Sequence, residues 1–146
     1  MSELTGGCQC GAIRYTVKGE PAMASLCECR MCQRSAGAPL LGHAQFSAQN
    51  VVWHKQPPKL FRSSSVADRG FCPDCGTPLT YQYLPTGTIS ITLSSLDDPE
   101  AIIPTSHLGA ESRPSWLVAA MALPNEPAEL DGGGVQSFQF AVPKRS

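Results

Sequence analysis

The sequence places its seven cysteines in three short stretches: Cys8-Gln9-Cys10, Cys27-Glu28-Cys29-Arg30-Met31-Cys32 and Cys72-Pro73-Asp74-Cys75-Gly76. A closed tetrahedral zinc site uses four ligands, whereas a catalytic zinc site keeps three protein ligands and one open position. The two pairs together supply four sulfurs, enough for a closed site, and the triplet supplies three, enough for an open one. The cysteines therefore predict two metal sites, one structural and one with a free coordination position.

Disulfide or redox chemistry and inert buried thiols are the alternatives to metal binding. An odd number of cysteines cannot be wholly consumed by intrachain disulfides, and residues 1–7 carry neither a basic start nor an apolar stretch that would export the chain. We therefore expect reduced thiols in a cytoplasmic protein. Clustered cysteines in a reducing compartment favour metal binding or catalysis over structural bridges.

Length and charge narrow the class of protein further. A chain of 146 residues is sized for one domain, and its formal net charge of -1 leaves no basic footprint for nucleic acid or for an anionic membrane surface. No uncharged apolar segment is long enough to cross a membrane. We expect neither nucleic acid nor membrane as a partner, and the sequence does not indicate an oligomeric state.

The composition favours a mainly β fold. Thirteen glycines and thirteen prolines, spread along the chain, leave little room for long helices. Alternation is clearest over residues 88–93, where Ile89, Ile91 and Leu93 should share a buried face and the residues between them an exposed one. The further strand candidates are residues 13–17, 40–46, 51–53, 59–62, 79–83 and 137–142.

Two short helices are expected. Residues 30–36 lack glycine and proline and stop at Gly37, which is a typical residue after a helix C-terminus. Residues 115–123 are bracketed by Pro114 and Pro124 and could form two turns. Glycines and a proline after residue 124 predict a linker. We therefore divide the chain into a zinc domain, residues 1–123, and a linker plus C-terminal strand on the same domain, residues 124–146.

The third cysteine stretch has the spacing of a zinc knuckle, in which backbone amides point at two thiolates. At Gly76 a positive φ is expected, and a side chain there should obstruct the close approach of the loop. Cys8 and Cys10 complete a tetrad if the chain folds back on itself. Such a tetrad is structural, and its binding free energy of about 10 kcal/mol is comparable with the stability of a domain. Iron, as in rubredoxin, is the alternative metal, but the narrow Cys8-x-Cys10 pair favours zinc.

The triplet Cys27, Cys29 and Cys32 comes from one segment and leaves a metal with room for an outside ligand. A soft zinc centre suits an incoming sulfur, and a substrate thiol bound there would lose its proton. The alternatives are a structural site completed by a remote histidine and a three-cysteine iron–sulfur cluster. Three histidines are available for the first alternative: His43, His54 and His107.

Several separated motifs, in this order, resemble the glutathione-dependent formaldehyde-activating enzyme family, also called the GFA or CENP-V domain. They are GCQCGAIRY at residues 7–15, CECRMC at 27–32 followed by GAP at 37–39, RGFCPDCGTPL at 69–79 and SSLDDP at 94–99. The resemblance spans about residues 5–118. It implies a mainly β, Mss4-like zinc-stabilised β-sheet domain with one or two short helices.

The resemblance also implies a division of the cysteines and an activity. Two zinc ions per chain would be bound, a structural one by Cys8, Cys10, Cys72 and Cys75 and a catalytic-type one by Cys27, Cys29 and Cys32. The activity that gives the family its name is addition of the glutathione thiol to formaldehyde, a carbon–sulfur lyase reaction run in the synthetic direction. The opposed hypotheses are a non-catalytic zinc-stabilised binding module and a thiol or metal sensor.

Glutathione carries two carboxylates, which predicts cationic residues beside the triplet. The candidates are Arg30, Arg34, Arg62 and Arg113, each of which has an ordinary solvated arginine as its alternative. Arg34 follows Arg30 by one helical turn, so the two can share a face beside the triplet.

Two further residues match the family by position. His107 is a candidate catalytic acid or base, with a packed structural histidine as its alternative. Trp116 is a candidate pocket wall or, equally, a core residue. One departure is Gly109, since many relatives carry an aromatic residue two places after that histidine, and this difference affects the shape of the pocket.

Overall fold

The computed structural model describes residues 2–128 and 136–142, which form ten strands and two short α-helices. The strands are β1 (Glu3–Gly7), β2 (Ile13–Lys18), β3 (Met23–Cys27), β4 (Leu41–Ser47), β5 (Val51–Lys55), β6 (Lys59–Ser64), β7 (Ala67–Phe71), β8 (Pro78–Tyr83), β9 (Thr88–Thr92) and β10 (Ser106–Leu108). The helices are α1 (Arg30–Ala36) and α2 (Leu117–Ala120). The described chain is therefore mainly β, as the sequence predicts.

The strands form two sheets that share one apolar core. The small sheet has the order β1-β2-β5, and the large one has the order β10-β3-β4-β9-β8-β7-β6, antiparallel except where β10 runs parallel to β3. Alternate residues of β2 pack against one face of β4, β8 and β9. This core contains Ile13, Tyr15, Val17, Ala44, Phe46, Leu79, Ile89 and Ile91, all at most 3% exposed. The opposite face of the large sheet does not take part in this core.

Strand β9 departs from the predicted half-buried pattern. Ile89 and Ile91 are buried as expected, but Ser90 and Thr92 on the other face are buried too. The prediction of an exposed face was wrong because β9 lies in the middle of the large sheet, between β4 and β8. The Thr92 hydroxyl donates to the carbonyl of Pro78 at 2.9 Å, which satisfies one of these buried polar groups.

The helix predicted over residues 30–36 is confirmed as α1. Its first turn is capped by Cys29, whose Sγ accepts a hydrogen bond from the Cys32 amide at 3.4 Å. Its end is set by Gly37, whose left-handed conformation (φ 62) allows a short C-terminal turn. The helix predicted over residues 115–123 is shorter than expected, since only Leu117–Ala120 is α-helical and none of its residues is buried.

The C-terminal strand predicted over residues 137–142 is wrong. These residues are described and form no strand. The Phe140 amide donates to the Gln9 carbonyl at 2.6 Å, and its ring lies 4.5 Å from the Arg14 guanidinium carbon. Phe140 therefore contacts the turn at Gln9 and does not pair with a strand, so residues 137–142 form no β-ladder. Residues 129–135 of the predicted linker lie outside the described residues, and the domain division stays a prediction. In the described ranges, no helix has the length and apolar character needed to span a bilayer.

Candidate metal centres and adjoining cavities

Four cysteines meet where two loops of the fold touch. Cys8 and Cys10 lie in the turn after β1, and Cys72 and Cys75 lie in the turn between β7 and β8. The Gln9 amide donates to the Thr77 hydroxyl at 3.0 Å and joins the two loops. The four sulfurs lie within 4.8 Å of one another, so this cluster, named here the tetrad, could hold a metal ion.

The tetrad has the dimensions of a tetrahedral thiolate site. With metal–sulfur bonds of about 2.3 Å, the sulfurs of such a site are about 3.8 Å apart. The Sγ of Cys10 lies 3.6 Å from that of Cys8 and 3.8 Å from that of Cys72. Burial raises the pKa of the Cys72 thiol to about 12, so a cation is needed to stabilise its thiolate. Distances and chemistry both fit a bound metal.

Gly76 meets one of its two expectations. Its φ is +79°, which favours glycine, and its amide donates to the Cys72 carbonyl at 2.9 Å to close the turn. A Cβ built there would have no heavy atom within 4 Å, so the expected steric obstruction is wrong. Backbone conformation alone therefore requires glycine at this position. Steric exclusion occurs instead at Gly11, where a Cβ would lie 2.4 Å from the Phe140 ring.

The other three cysteines converge where β3 leads into α1. Cys27 is the last residue of β3, Cys29 caps the helix and Cys32 lies in its first turn. The Glu28 amide donates to the Leu108 carbonyl at 2.8 Å, which fixes the intervening loop against β10. The three sulfurs lie within 4.8 Å of one another, so this cluster, the triplet, could also hold a metal ion.

The surroundings of the triplet also fit a cation. Burial raises the pKa of the Cys32 thiol to about 12, against the lowering effect of a hydrogen bond from Arg69. Burial likewise raises the pKa of Cys27. Two of the three thiols would therefore keep their protons near neutral pH without a positive ion to stabilise their thiolates.

A cavity of about 210 Å³ opens beside the triplet on the second face of the large sheet. Strand pairing places Gln45 opposite Ser90, Ser90 opposite Tyr81 and Tyr81 opposite Arg69, so the four lie in one row across the sheet. All four line the cavity. The other lining residues are Met23, Ser25, Cys27, Cys29, Met31, Cys32, His43 and Leu108.

Arg69 is a residue of this site that the sequence did not assign to it, and His43 is the one of the three candidate histidines that lines the cavity. Arg69 is 8% exposed, and its Nη2 lies 3.4 Å from the Cys32 Sγ. His43 Nε2 lies 3.9 Å from the same sulfur, and His43 Nδ1 is buried with no hydrogen-bond partner in the part of the chain that the structure describes. Burial and the charge of Arg69 lower the pKa of His43 to about 4, so its imidazole is neutral near pH 7. Their spacing from the cysteines gives no signal, because strand pairing brings them together.

The three histidines differ in their distance from the triplet. His43 Nε2 lies close to the Cys32 sulfur. It does not, however, belong to the group of possible ligand atoms that all lie within 4.8 Å of one another, which among the described residues contains only the three cysteine sulfurs. His54 Nε2 instead bonds the Thr16 hydroxyl at 2.8 Å on the small sheet. His107 is half exposed and does not line the 210 Å³ cavity, which its neighbour Leu108 does. The catalytic role of His107 stays a prediction without support from the cavity lining.

Glu28 forms a buried ionic contact that the sequence did not predict. Its side chain is 1% exposed, and its Oε1 accepts a hydrogen bond from Arg113 Nε at 2.8 Å and lies 3.6 Å from His107 Nδ1. The hydrogen bond from Arg113 lowers the pKa of Glu28 despite burial. Arg113 therefore has a carboxylate partner within the protein, and its role as a substrate-binding residue stays a prediction. The sequence feature that could have indicated this contact is the position of Glu28 between Cys27 and Cys29.

The remaining arginines separate into two groups. Arg34 is exposed and lines a second cavity of about 580 Å³, which shares Met31 and Arg69 with the first. Arg30 and Trp116, also exposed, line a shallower cavity of about 290 Å³ that Arg34 borders as well. Trp116 is 58% exposed and is therefore not a core residue. A further candidate, Arg62, forms an ion pair with Asp68 at the sheet edge and lines none of these cavities.

Gly109 lies directly against the triplet. Its φ is +66°, and a Cβ built there would lie 2.8 Å from the Cys29 amide nitrogen and 3.0 Å from the Cys29 Cβ. Neither contact can relax without moving backbone or a candidate metal ligand. Gly109, which departs from the family pattern, is therefore suited to its position, because a side chain there would collide with Cys29.

Comparisons with known proteins identify the family through one family model and the fold through one solved structure. A family model described as "Glutathione-dependent formaldehyde-activating enzyme" matches residues 3–112. A Schizosaccharomyces pombe protein named "Uncharacterized lyase" is 32% identical over 83 residues, which are 57% of this chain and 60% of that protein. The alignment thus spans less than two thirds of that relative. A crystal structure of a Rhodobacter sphaeroides protein matches with a TM-score of 0.56 and 22% identity, covering 71% of this chain and 99% of that one, and this likeness concerns the fold alone.

Proposed function

Because this chain belongs to the glutathione-dependent formaldehyde-activating enzyme family, we propose that it is a zinc-dependent, lyase-type enzyme acting on the carbon–sulfur bond of a small thiol adduct. Glutathione and formaldehyde are the default substrate pair. The similarity to a protein named as a lyase supports the reaction class. The observation that carries the proposal is a cluster of three sulfurs on the wall of a cavity, with no histidine completing the group among the described residues.

In the synthetic direction, the reaction joins a thiol to an aldehyde. The sulfur electron pair forms the new carbon–sulfur bond, the carbonyl π electrons move to oxygen, and the thiol proton ends on that oxygen. A zinc ion at the triplet would favour the thiolate form of a bound thiol or polarise the carbonyl. The second zinc ion, at the tetrad, would have a structural role, because all four of its positions are filled by Cys8, Cys10, Cys72 and Cys75.

The smaller cavity suits the reacting ends of the two substrates. Its volume of about 210 Å³ is enough for a thiol carbon and a one-carbon aldehyde but not for a whole tripeptide. Met23, Met31 and Leu108 contribute apolar side chains to its lining, and His43 and Tyr81 contribute polar ones. Holding both reactants in one such space contributes to the rate through proximity.

The larger cavity suits the rest of an anionic thiol. Among the described residues, those lining the two cavities include Arg34 and Arg69 but no aspartate or glutamate. A site whose charged side chains are positive favours a negatively charged ligand. We assign Arg34 to a substrate carboxylate, with Arg30 and Trp116 as further candidates in the shallower cavity around the same arginine. Glutathione meets this requirement.

The test compares catalysed with uncatalysed adduct formation. The exchange between ¹³C-formaldehyde and its thiol adduct is measured by NMR with glutathione and with 2-mercaptoethanol, which lacks a carboxylate. We expect acceleration with glutathione, little with 2-mercaptoethanol, and loss of the glutathione preference in Arg34→Met. Arg62→Met is the matched control, because Arg62 is ion-paired at the sheet edge. Zinc binding without any acceleration would refute the enzyme proposal and favour the thiol- or metal-sensing module.

A further inference from the structure

The side chain of Arg69 is a buried cation without a carboxylate partner among the described residues. Only 8% of the residue is exposed, and none of the ion pairs in the described ranges includes it. A buried charge is strongly destabilising unless another charge and hydrogen bonds compensate it. The fold therefore either tolerates an uncompensated guanidinium or supplies a negative group by other means.

Three elements hold this guanidinium in one orientation. Arg69 Nε donates to the Ser63 hydroxyl on β6 at 2.9 Å, and Nη1 donates to the Ser35 hydroxyl on α1 at 3.4 Å. The guanidinium carbon lies 5.1 Å from the centre of the Tyr81 ring on β8, a cation–π distance. With those contacts made, Nη2 points at the Cys32 Sγ at 3.4 Å. The side chain is thus preorganised to donate to a sulfur of the triplet.

A metal-loaded triplet is the negative group that this cation lacks. Three thiolates contribute three negative charges and a divalent ion two positive ones, so the assembly carries one net negative charge. We propose that Arg69 is a positioning residue of the triplet metal site, whose guanidinium is the counter-ion of the metal–thiolate group and holds the Cys32 sulfur by a hydrogen bond. The inference rests on metal binding at the triplet but not on the proposed substrate.

The position of Arg69 in the chain also links the two metal centres. It lies on β7, three residues before Cys72 of the tetrad, and the pairing of β7 with β8 shifts register between Gly70 and Phe71. A Cβ at Gly70 would lie 2.2 Å from the Thr80 hydroxyl, so β8 leaves little room for a side chain at this position. The tetrad closes the turn immediately after the bulge and thereby fixes the strand that presents Arg69.

The test measures metal affinity and spectra rather than turnover. Outer contacts of this kind are worth about 10- to 100-fold in metal affinity, so Arg69→Met is expected to weaken zinc binding at the triplet by that factor in a chelator competition. Tetrad zinc should be retained. Arg69→Lys, which keeps the charge but not the fork of donors, should recover part of the affinity. Arg62→Met serves as the control and should change neither site.

Two further measurements separate a counter-ion from a residue that only fills space. In the cobalt-substituted protein, Arg69→Met should shift the sulfur-to-metal charge-transfer band of the triplet and leave that of the tetrad in place. In a Cys29→Ser background, where the triplet is expected to be empty, Arg69→Met should no longer lower the melting temperature. Unchanged triplet affinity and spectrum in folded Arg69→Met would overturn the proposal, as would an equal loss of stability in both backgrounds. A failure of the adduct assay alone would leave this inference intact.

Discussion

Replacing Gly109 with alanine should empty the triplet while leaving the tetrad loaded. The new Cβ would lie 2.8 Å from the Cys29 amide nitrogen and 3.0 Å from the Cys29 Cβ. An ordinary contact distance is about 3.5 Å, so Cys29 and the Gly109 loop must separate by about half an ångström or more. Ligand distances in a metal site tolerate only about 0.2 Å. The displacement exceeds this tolerance and should cost the triplet its metal.

The backbone contributes a second, separable cost. Alanine in the left-handed conformation costs about 1–2 kcal/mol wherever it occurs. Gly87 has almost the same φ, +65° against +66° at Gly109, and a Cβ there would have no heavy atom within 4 Å. Gly87→Ala is therefore the matched control, which should lose about 1–2 kcal/mol of unfolding free energy and keep both metals.

The assay combines metal content with stability. Zinc per chain is measured after dialysis against a weak chelator, and unfolding free energy is measured by denaturant titration under reducing conditions. We expect about two zinc ions for Gly87→Ala and about one for Gly109→Ala, with folded far-UV spectra for both. Gly109→Ala protein that retains both metals would refute the steric argument and, with it, the placement of Cys29 against this loop.

Two other predictions concern the ionic contacts of the fold. Burial raises the pKa of Asp97, but hydrogen bonds from Arg14 and Thr5 outweigh it and lower the pKa below its ordinary value. The stability from this contact is therefore present above the unfolded-state pKa of about 4 and lost as the pH falls through the folded-state value. Wild type should show a larger loss of unfolding free energy below about pH 5 than Asp97→Asn, and parallel pH profiles would contradict this. Glu28→Gln leaves Arg113 without its charge partner and should weaken triplet zinc binding by about tenfold, seen by chelator competition, while an unchanged affinity would rule out this positioning role.

Local signals account for what the sequence predicted well. Helix α1 has the predicted bounds because a capping Cys29 and a left-handed Gly37 fix both of its ends. The partition of the cysteines into a group of four and a group of three is confirmed, since each cluster brings its sulfurs together. The bounds of the helix depend on residues that are close in sequence. The partition of the cysteines depends on metal-ligand spacings that allow few other groupings.

Tertiary context decides what the sequence missed. Strand β7 (Ala67–Phe71) is rich in charged and small residues, and it forms because β6 and β8 pair with both of its edges. Residues 137–142 alternate as a strand would, yet they contact a turn and form no ladder. In the sequence, Arg69 precedes the cysteines of the tetrad, and nothing in that position indicates a contact with the triplet. Only strand pairing and burial bring its guanidinium to Cys32.

Zinc content of the purified, reduced protein tests most directly whether the sulfurs are divided between two centres. Wild type should contain about two zinc ions per chain, and Cys29→Ser should contain about one with its fold retained. Cys75→Ser, which opens the tetrad, should fail to fold. Two metals retained by Cys29→Ser, or a single metal in the wild type, would contradict the division of the cysteines into a structural tetrad and an open triplet.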